Sequence, residues 1–289
     1  MKFVTYIYNG NSDVGVLTED EKNIIPASEL GLEGHSMNDV ICELDGALPA
    51  TPTKARTISL ADVTLDAPIP ESYQDIICLG LNYRDHVEET TRADKAFDVQ
   101  RGDAVYFAKR LNRAVAPGGI VDGHFDICDS LDYEAELGVI IGRDAKNVKA
   151  ADARRYIFGY TIINDVSARN LQTRHKQWYF GKSLDDFTPM GPCIVTADEL
   201  GAMPELDIRC YVNGELRQNS NTRMMIFDIP YVIEELSAGM TLKAGTVIAT
   251  GTPSGVALGM DPSVRKYLCS GDVVRCEIDH IGVLENTVG

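Results

Sequence analysis

The stretch LDYEAELGVIIG, Leu131–Gly142, has the composition of a β-strand and yet carries two acidic residues on one side. Because side chains two apart in a strand point the same way, Glu134 and Glu136 would share a face roughly 6.6 Å apart. At an effective dielectric of about 20, their repulsion would be roughly 2.5 kcal/mol. A solvated strand face tolerates that repulsion. In a cleft, a divalent cation held by the carboxylate oxygens would make the local electrostatic energy favourable.

A third acidic residue follows in GYTIINDVSARNLQ, Gly159–Gln172, where an apolar run ends at Asp165. Read alone, Asp165 is typical of a helix cap. Its spacing to Arg169 and Gln172, +4 and +7, predicts that the three lie on one stripe of a helix that Asp165 begins. All-oxygen ligation suits Mg²⁺ or Mn²⁺, and the absence of nearby Cys and His argues against zinc. Three carboxylates around one ion would leave positions for water and for a chelating 2-oxo acid.

The segment GLNYRDHVEET, Gly80–Thr90, predicts a helix with Asn82 as its cap and Asp85 completing a capping box. His86 and Glu89 are then i, i+3 neighbours. A carboxylate beside an imidazole orients it and raises its basicity, as a general base that activates water requires. The alternative interpretation is a surface His and Glu on a polar helix.

Two further segments carry residues that suit anion binding. Lys182, in WYFGKSLDDF, is flanked by small residues that would let its ammonium approach an anion, although a solvated lysine is the ordinary case. In ATGTPSGV, Ala249–Val256, the backbone N–H groups and the Thr252 hydroxyl would hold a carboxylate, unless the segment is simply a tight turn. The GKS at Gly181–Ser183 is not a phosphate-binding loop, because the residue five positions before it is Lys176 instead of glycine.

A basic cluster lies in FAKRLNRAVAPGG, which carries Lys109, Arg110 and Arg113. In a chain with few positive charges this cluster would receive the anionic tail of a substrate. A basic surface patch explains it equally well.

Composition restricts the class of protein. The 289 residues are 44% hydrophobic, with 43 acidic and 27 basic residues and a formal net charge of −16, so binding to nucleic acid or to an anionic membrane is disfavoured. The N-terminus lacks a signal peptide and no stretch reaches the ~18 apolar residues of a membrane span, which predicts a cytoplasmic protein. The seven cysteines show no CxxC spacing, which predicts reduced core thiols.

The order of patterns predicts a β-dominated α+β fold. NGNS and VNGEL are hairpin signals, and MNDVICEL has a helical pattern. The proline-containing connector Ser59–Pro70 predicts a boundary between a small N-terminal α+β domain, residues 1–70, and a larger domain, residues 71–289. Glu88–Asp103 is polar enough to form a loop. Further short helices are predicted at Asn82–Glu89, Lys149–Tyr156, Ser167–His175 and Asp228–Ser237.

Five blocks taken in order, GLNYRDHVEE, LDYEAELGVIIG, GYTIINDVSARNLQ, GKSLDDFTPMGP and TGTPSGV, resemble the signature blocks of the fumarylacetoacetate hydrolase superfamily. The resemblance extends from Asp75 to the C-terminus, and the first ~70 residues match less sharply. It implies a mixed β-sandwich roll with a small N-terminal β-rich domain. It also implies a homodimer and a bound Mg²⁺ or Mn²⁺.

The resemblance also assigns residues by motif. The implied metal ligands are Glu134, Glu136 and Asp165. The implied substrate-binding residues are Arg169, Gln172, Lys182 and Thr252. The implied catalytic His/Glu dyad is His86 and Glu89, often carried on a lid. One departure is AKRLNRAVAP, where many relatives read Lys-Pro followed by small residues, and it concerns recognition of the distal end of the substrate.

The function expected from these residues is metal-assisted hydrolysis of a C–C bond in a 2,4-dioxo acid of the acylpyruvate or fumarylpyruvate type. Lys182 would stabilise the developing oxyanion, and His86, oriented by Glu89, would activate the water that attacks C4. The products would be a 2-oxo acid and a carboxylic acid. The alternatives are decarboxylation of an oxaloacetate-type diacid, isomerisation or tautomerisation of a 2-hydroxymuconate-type dienoate, and a non-catalytic protein that keeps the scaffold.

Overall fold

The computed structural model describes residues 1–52, 54–93 and 102–289, which form a strand-rich α+β fold as the sequence predicts. The described strands are β1 (Lys2–Tyr8), β2 (Asn11–Leu17), β3 (Asn23–Pro26), β4 (Ile58–Ser59), β5 (Thr64–Leu65), β6 (Ile76–Gly80), β7 (Val105–Lys109), β8 (Ile120–Val121), β9 (Leu131–Asp132), β10 (Ala135–Ile141), β11 (Ile157–Asn164), β12 (Ser167–Ala168), β13 (Met190–Thr196), β14 (Asp207–Val212), β15 (Glu215–Asn221), β16 (Val247–Ala249), β17 (Val273–Ile278) and β18 (Gly282–Val288).

The described helices are short. The α-helices are α1 (Met37–Leu44), α2 (Arg84–Ala93), α3 (Arg169–Arg174), α4 (Tyr179–Lys182), α5 (Ala197–Leu200) and α6 (Ile229–Gly239). The 3-10 segments are Ala27–Leu30, Leu60–Asp62, Ala150–Tyr156, Thr222–Met224 and Ala257–Gly259.

Most strands belong to two sheets. The larger sheet has the order β4-β3-β2-β1-β13-β11-β10-β16-β6-β7, with β5 paired to β1, and the smaller one has the order β15-β14-β17-β18-β8. A two-strand ladder pairs β9 with β12. Because β1 pairs with β13, the N-terminal strands continue into the sheet that contains β10. The division into domains at residue 70 stays a prediction.

Both predicted hairpins are present. β1 and β2 are joined by Asn9 and Gly10, with φ of 50° and 79°, and β14 and β15 by Asn213 and Gly214, with φ of 52° and 79°. Positive φ at both central residues is the geometry of the turn that matches the twist of paired strands, and Asn-Gly adopts it readily. These local signals therefore determine two strand registers.

Helix boundaries follow capping chemistry. Ser36 and Asp39 form a capping box at the start of α1, and Asp228 caps α6 by accepting a hydrogen bond from the Tyr231 N–H. The segment predicted as a helix at Lys149–Tyr156 is a 3-10 segment instead. The loop predicted from Glu88 onward is helical as far as Ala93. Its continuation at residues 94–101 lies outside the described residues.

Strand β10 lies between β11 and β16 near the middle of the larger sheet. All seven of its residues, AELGVII, are buried, so its pattern is that of a strand covered on both faces. Glu136 is the only charged residue in it. Burying a carboxylate in such a strand is costly unless neighbouring groups compensate its charge.

In residues 1–52, 54–93 and 102–289, none of the helices combines the length and apolar character that crossing a bilayer requires. All seven cysteines are free thiols, as predicted. Cys42 and Cys269 are exposed, however, so the prediction that all seven lie in the core was wrong for these two.

Candidate active site

Three buried carboxylates meet where β10 begins and β11 ends. Glu134 directly precedes β10, Glu136 is its second residue, and Asp165 directly follows β11. The antiparallel pairing of the two strands brings these ends together, and the Asp165 N–H donates to the Glu134 carbonyl at 2.8 Å. One carboxylate oxygen from each residue lies within 4.8 Å of the others. The three predicted metal ligands are therefore in one place.

Two of these carboxylates have buried cationic partners. Lys182 Nζ lies 2.7 Å from Glu134 Oε2 and 2.7 Å from Asp165 Oδ2. Arg169 Nη2 lies 2.6 Å from Glu134 Oε1, and Lys109 Nζ lies 2.5 Å from Asp165 Oδ1. Burial raises the pKa of Glu134, but Lys182 and Arg169 outweigh it and hold this pKa at about 2. Both of these carboxylates are thus compensated by protein charge.

Glu136 is in the opposite situation. The Gly251 N–H donates to its Oε2 at 2.8 Å. Across residues 1–52, 54–93 and 102–289, no Lys, Arg or His nitrogen lies within 4.0 Å of its carboxylate oxygens. Burial, Asp165 and Glu134 together raise its pKa well above the ordinary value. In the described residues Glu136 therefore has no direct ion pair, and Lys182 and the Gly251 N–H offset only part of the rise in its pKa.

A divalent cation fits this arrangement. The three groups offer only carboxylate oxygens, the donor set that Mg²⁺ and Mn²⁺ prefer, and each carboxylate has about four lone-pair positions, enough to accept N–H bonds and also contact a cation. A charge of +2 would also compensate Glu136. Glu134, Glu136 and Asp165 are the side chains that would hold the ion.

Arg169 is oriented by Asp132, a residue that the sequence prediction missed. Asp132 Oδ2 accepts from Arg169 Nε at 2.8 Å and from the Leu258 N–H at 2.9 Å, and Oδ1 accepts from the Ala257 N–H at 2.8 Å. Arg169 Nη1 in turn donates to Gln172 Oε1 at 3.0 Å. Acidic residues alternate from Asp132 to Glu136, and this extension of the pattern was the available signal.

The prediction that Asp165, Arg169 and Gln172 share one stripe of a helix was wrong. Strand β12 follows Asp165, and α3 begins only at Arg169. Pairing of β12 with β9 sets Ser167 opposite Asp132 and interrupts the helix. The three side chains still border one site, but a strand and a turn bring them there.

The predicted dyad lies on α2. His86 is buried, and its Nδ1 lies 3.4 Å from Glu89 Oε2. Glu89 also accepts from the Gly255 N–H at 3.0 Å. The predicted cap was wrong, because the Asn82 Oδ1 that would cap the helix accepts from the Phe227 N–H at 2.8 Å. Its Nδ2 donates to the Thr250 and Phe227 carbonyls at 2.8 and 3.0 Å. Asn82 thus anchors the start of α2 to the site without capping the helix.

Thr252 borders the site, but its hydroxyl is engaged. It donates to the Ala135 carbonyl at 2.9 Å and accepts from Gln218 Nε2 at 2.8 Å. A hydroxyl has a single O–H donor, so donating to a substrate carboxylate would require it to release Ala135. A direct substrate contact by Thr252 stays a prediction. Gln218 is a second residue that the sequence prediction missed.

The predicted basic patch was wrong for Lys109. This lysine is fully buried, faces Asp165 and donates to the Val166 carbonyl at 3.0 Å. Burial lowers its pKa, and Lys182 adds to this effect while Asp165 opposes it. Arg113 instead pairs with Asp66 at 2.5 Å, and its side chain is 54% exposed. The three basic residues therefore do not form one patch.

A cavity opens beside the carboxylates. Its polar wall includes Glu134, Glu136, Arg169, Gln172, Lys182, His86 and Thr252. Its apolar wall includes Leu79, Leu81, Phe107, Trp178 and Leu258. The Lys182 ammonium lies 5.4 Å from the centroid of the Phe107 ring, a cation–π distance. The cavity thus combines a charged region with an apolar wall.

Comparisons with known proteins identify the family of this chain. Residues 75–289 match the family model described as fumarylacetoacetate (FAA) hydrolase C-terminal. Oxaloacetate tautomerase YisK of Bacillus subtilis (strain 168) is 47% identical over 231 residues, covering 80% of this chain and 75% of that protein.

Two solved structures are similar over the whole chain. Fumarylacetoacetate hydrolase (EaFAH) from psychrophilic Exiguobacterium antarcticum superposes with a TM-score of 0.87 at 38% identity, covering 100% of this chain and 99% of that one. The 2-hydroxyhepta-2,4-diene-1,7-dioate isomerase from Mycobacterium marinum superposes with a TM-score of 0.77 at 31% identity. This match covers 100% of this chain and 98% of that one. With the buried carboxylate group in place and the family model matching most of its length, this chain belongs to the fumarylacetoacetate hydrolase family.

Proposed function

We propose that this protein is a Mg²⁺- or Mn²⁺-dependent enzyme that interconverts the keto and enol forms of a small 2-oxo diacid of the oxaloacetate type. The observation that carries the proposal is the buried group of Glu134, Glu136 and Asp165. Its two glutamates border the same cavity as Lys182. The 47% identity to a protein named oxaloacetate tautomerase supports the choice of substrate and reaction. The tautomerase and isomerase alternatives thus have more support than the hydrolase.

Charge at the substrate oxygen is the first requirement of this reaction. A divalent ion, when bound, supplies Lewis acidity toward the carboxylate and carbonyl oxygens of a 2-oxo acid. Lys182 contributes a permanent positive charge: burial lowers its pKa, but Asp165 and Glu134 outweigh burial and raise it above the ordinary value. Lys182 therefore stays protonated and would stabilise negative charge on the C2 oxygen of the substrate.

Proton transfer at C3 is the second requirement. Glu89 lies beside Nδ1 of His86 and would orient the ring, which borders the cavity and would exchange a proton with the substrate. In the keto-to-enol direction His86 would take a proton from C3 to give the C2 enolate, which would take a proton from solvent on its oxygen. In the reverse direction the enol would lose that oxygen proton to solvent, and His86 would return a proton to C3. Arg169 and Gln172, which border the same cavity, would orient the substrate carboxylate.

A second candidate is C–C bond cleavage at the same site. The His86–Glu89 pair favours it, because a base that can exchange a proton with C3 can also activate a water. Hydrolysis of an acylpyruvate would use that water at C4, and decarboxylation of oxaloacetate would need only stabilisation of the enolate that carbon dioxide loss creates. The similarity to EaFAH, named a fumarylacetoacetate hydrolase, supports this candidate.

Three assays separate these reactions. With Mg²⁺ or Mn²⁺ present, ultraviolet absorbance follows the enol of oxaloacetate, a coupled lactate dehydrogenase follows pyruvate, and acid release from acetylpyruvate follows hydrolysis. We expect the protein to accelerate enol loss above the buffer rate more than it accelerates either cleavage. Absence of acceleration with both metals would overturn the proposal, and a dominant cleavage activity would replace it with the second candidate.

The variant His86→Gln tests the proton-transfer role. We expect it to lower the tautomerisation rate by roughly 100-fold or more, the range that general acid–base groups contribute. His35→Gln is the matched control, because His35 is exposed and far from α2 in sequence. His86→Gln should still bind Mn²⁺, since His86 is not among the proposed ligands.

The homodimer and the cytoplasmic location stay predictions. Size-exclusion chromatography with light scattering tests the first: a dimer of this 31.6 kDa chain would have twice its mass. Fractionation of cells that produce the protein tests the second.

A further inference from the structure

Gln218 is a buried residue of the smaller sheet whose side chain hydrogen-bonds to segments of the larger sheet. It lies on β15, at an edge of the smaller sheet, and is fully buried. Its Oε1 accepts from the Ala135 N–H at 3.0 Å, and its Nε2 donates to Thr252 Oγ1 and to the Pro253 carbonyl, both at 2.8 Å. The side-chain amide of Gln218 therefore hydrogen-bonds to β10 and to the turn after β16, two segments of the larger sheet.

Those two segments carry the groups that hold Glu136. Ala135 lies between Glu134 and Glu136, and the Gly251 N–H that donates to Glu136 Oε2 directly precedes Thr252. The Thr252 hydroxyl also donates to the Ala135 carbonyl at 2.9 Å, which completes a closed loop of hydrogen bonds. Gln218 thus ties the strand that carries the glutamates to the turn that orients one of them.

We propose that Gln218 is a positioning residue for divalent metal: it fixes the Glu134–Glu136 segment against the Gly251–Pro253 turn and so sets metal affinity. The inference rests on the metal site of the proposed function. Outer partners that orient ligands typically change metal affinity by about 10-fold to 100-fold when removed. Without Gln218, the buried Ala135 N–H and Pro253 carbonyl would lose their partners, and both segments would shift to recover them.

Two uncharged substitutions test this role. Gln218→Leu keeps the approximate volume and removes every polar contact, whereas Gln218→Asn keeps the amide on a side chain one methylene too short to span both segments. The readout is the Kd of Mn²⁺ from electron paramagnetic resonance of the free ion, measured without substrate. We expect a Kd raised about 10-fold or more in Gln218→Leu and by a smaller factor in Gln218→Asn.

Asn286→Leu is the matched control. Asn286 is 3% exposed, and its Nδ2 donates to the Ala116 and Gly119 carbonyls at 2.8 and 3.1 Å. This variant also loses a buried amide, but neither the residue nor these partners line the cavity. It should lower the melting temperature and leave the Mn²⁺ Kd unchanged, which separates positioning of the site from general loss of stability.

The outcomes distinguish the two proposals. Wild-type protein that binds Mn²⁺ with a Kd equal to that of Gln218→Leu would overturn the role of Gln218 alone. Wild-type protein that binds no Mn²⁺ would overturn the proposed function together with this inference. If neither Gln218 variant folds while Asn286→Leu does, Gln218 is required for folding, and the positioning role is also overturned.

Discussion

Two glutamates separated by one residue meet opposite electrostatic conditions. Glu134 faces Lys182 and Arg169, whereas Glu136 faces Asp165 and Glu134. The pKa of Glu134 is accordingly held low, and that of Glu136 is raised by burial and by like charge. The same chemical change at the two positions should therefore have opposite effects on the metal-free protein.

The first prediction compares Glu134→Gln with Glu136→Gln by thermal unfolding in the presence of a chelator. Glu134→Gln removes the partner of two buried cations and should cost roughly 3 kcal/mol, which lowers the melting temperature by about 6–12 °C. Glu136→Gln removes a carboxylate that has no direct ion pair and whose charge burial and two like charges disfavour, so the melting temperature of this variant should equal or exceed that of the wild type. An equal decrease in melting temperature in the two variants would contradict this difference between Glu134 and Glu136.

Added Mn²⁺ completes the comparison. Wild-type protein should gain stability as the ion binds the folded state, by about 2.7 kcal/mol at one hundred times its Kd. Glu136→Gln should lose most of that gain, because it lacks one of the three proposed ligands. A full Mn²⁺-dependent gain in Glu136→Gln would remove Glu136 from the ligand set.

The second prediction concerns the pH dependence of metal binding. Metal ligands must be deprotonated, and Glu136 is the ligand whose pKa is raised in the metal-free protein. Below that raised pKa, each ion bound should release up to one proton, so affinity should increase with pH and level off above it. Calorimetry in two buffers of different ionisation enthalpy measures this release. Affinity that is constant between about pH 5 and pH 8 would contradict it.

Helix α2 is hydrogen-bonded to the segment that follows β16. Ser254 Oγ donates to Asp85 Oδ2 at 2.8 Å, and the Gly255 N–H donates to Glu89. A Cβ at Gly259 would lie 2.1–2.4 Å from the nearest carboxyl-end atoms of Glu89, so glycine is what allows this approach. The position of the His86–Glu89 pair thus depends on the close approach of Glu89 to the backbone at Gly255 and Gly259.

The third prediction follows from this contact. Gly259→Ala should displace the Glu89 carboxylate, which is the end of a flexible side chain, and leave the fold intact. His86 then loses its orienting partner, and kcat should fall by about 10-fold or more while the Mn²⁺ Kd stays the same. Gly239→Ala is the control, since a Cβ there meets nothing within 4 Å. Equal kcat in the two variants would show that this contact does not position the dyad.

Helices and strands could be predicted from the sequence where the contacts that define them join residues close together in the chain. The Asn-Gly hairpins and the start of α6 each depend on residues that are neighbours in sequence. The prediction of a helix beginning at Asp165 was wrong because a contact between distant residues decides the structure there. The ladder of β12 with β9 is a contact between distant residues, and it overrides the helical spacing of the segment.

The same distinction between local and distant contacts applies to the residues of the site. Alternation within one strand and five ordered blocks were enough to identify the three carboxylates, Lys182 and the dyad as candidates. The contacts of Lys109 with Asp165, of Gln218 with Ala135 and of Arg169 with Asp132 span 56, 83 and 37 residues. No local pattern encodes such distances, so these partners emerge only when the chain folds.

The last prediction concerns the charge of the whole chain. Its formal net charge of −16 repels a dianionic substrate at long range, and the cations of the site are already paired with buried carboxylates. Raising KCl from about 10 mM to about 150 mM shortens the Debye length from roughly 30 Å to roughly 8 Å and screens that repulsion. With Mn²⁺ saturating, kcat/KM for oxaloacetate should therefore rise about twofold or more.

The 4-methyl ester of oxaloacetate is the matched control substrate, because it keeps the carbon skeleton and loses one negative charge. Its kcat/KM should rise less over the same range of salt, since the repulsion scales with the charge of the ligand. A kcat/KM for oxaloacetate that falls with salt would mean that the bound ion and Lys182 dominate the field at the entrance, and that the net charge of the chain does not control access.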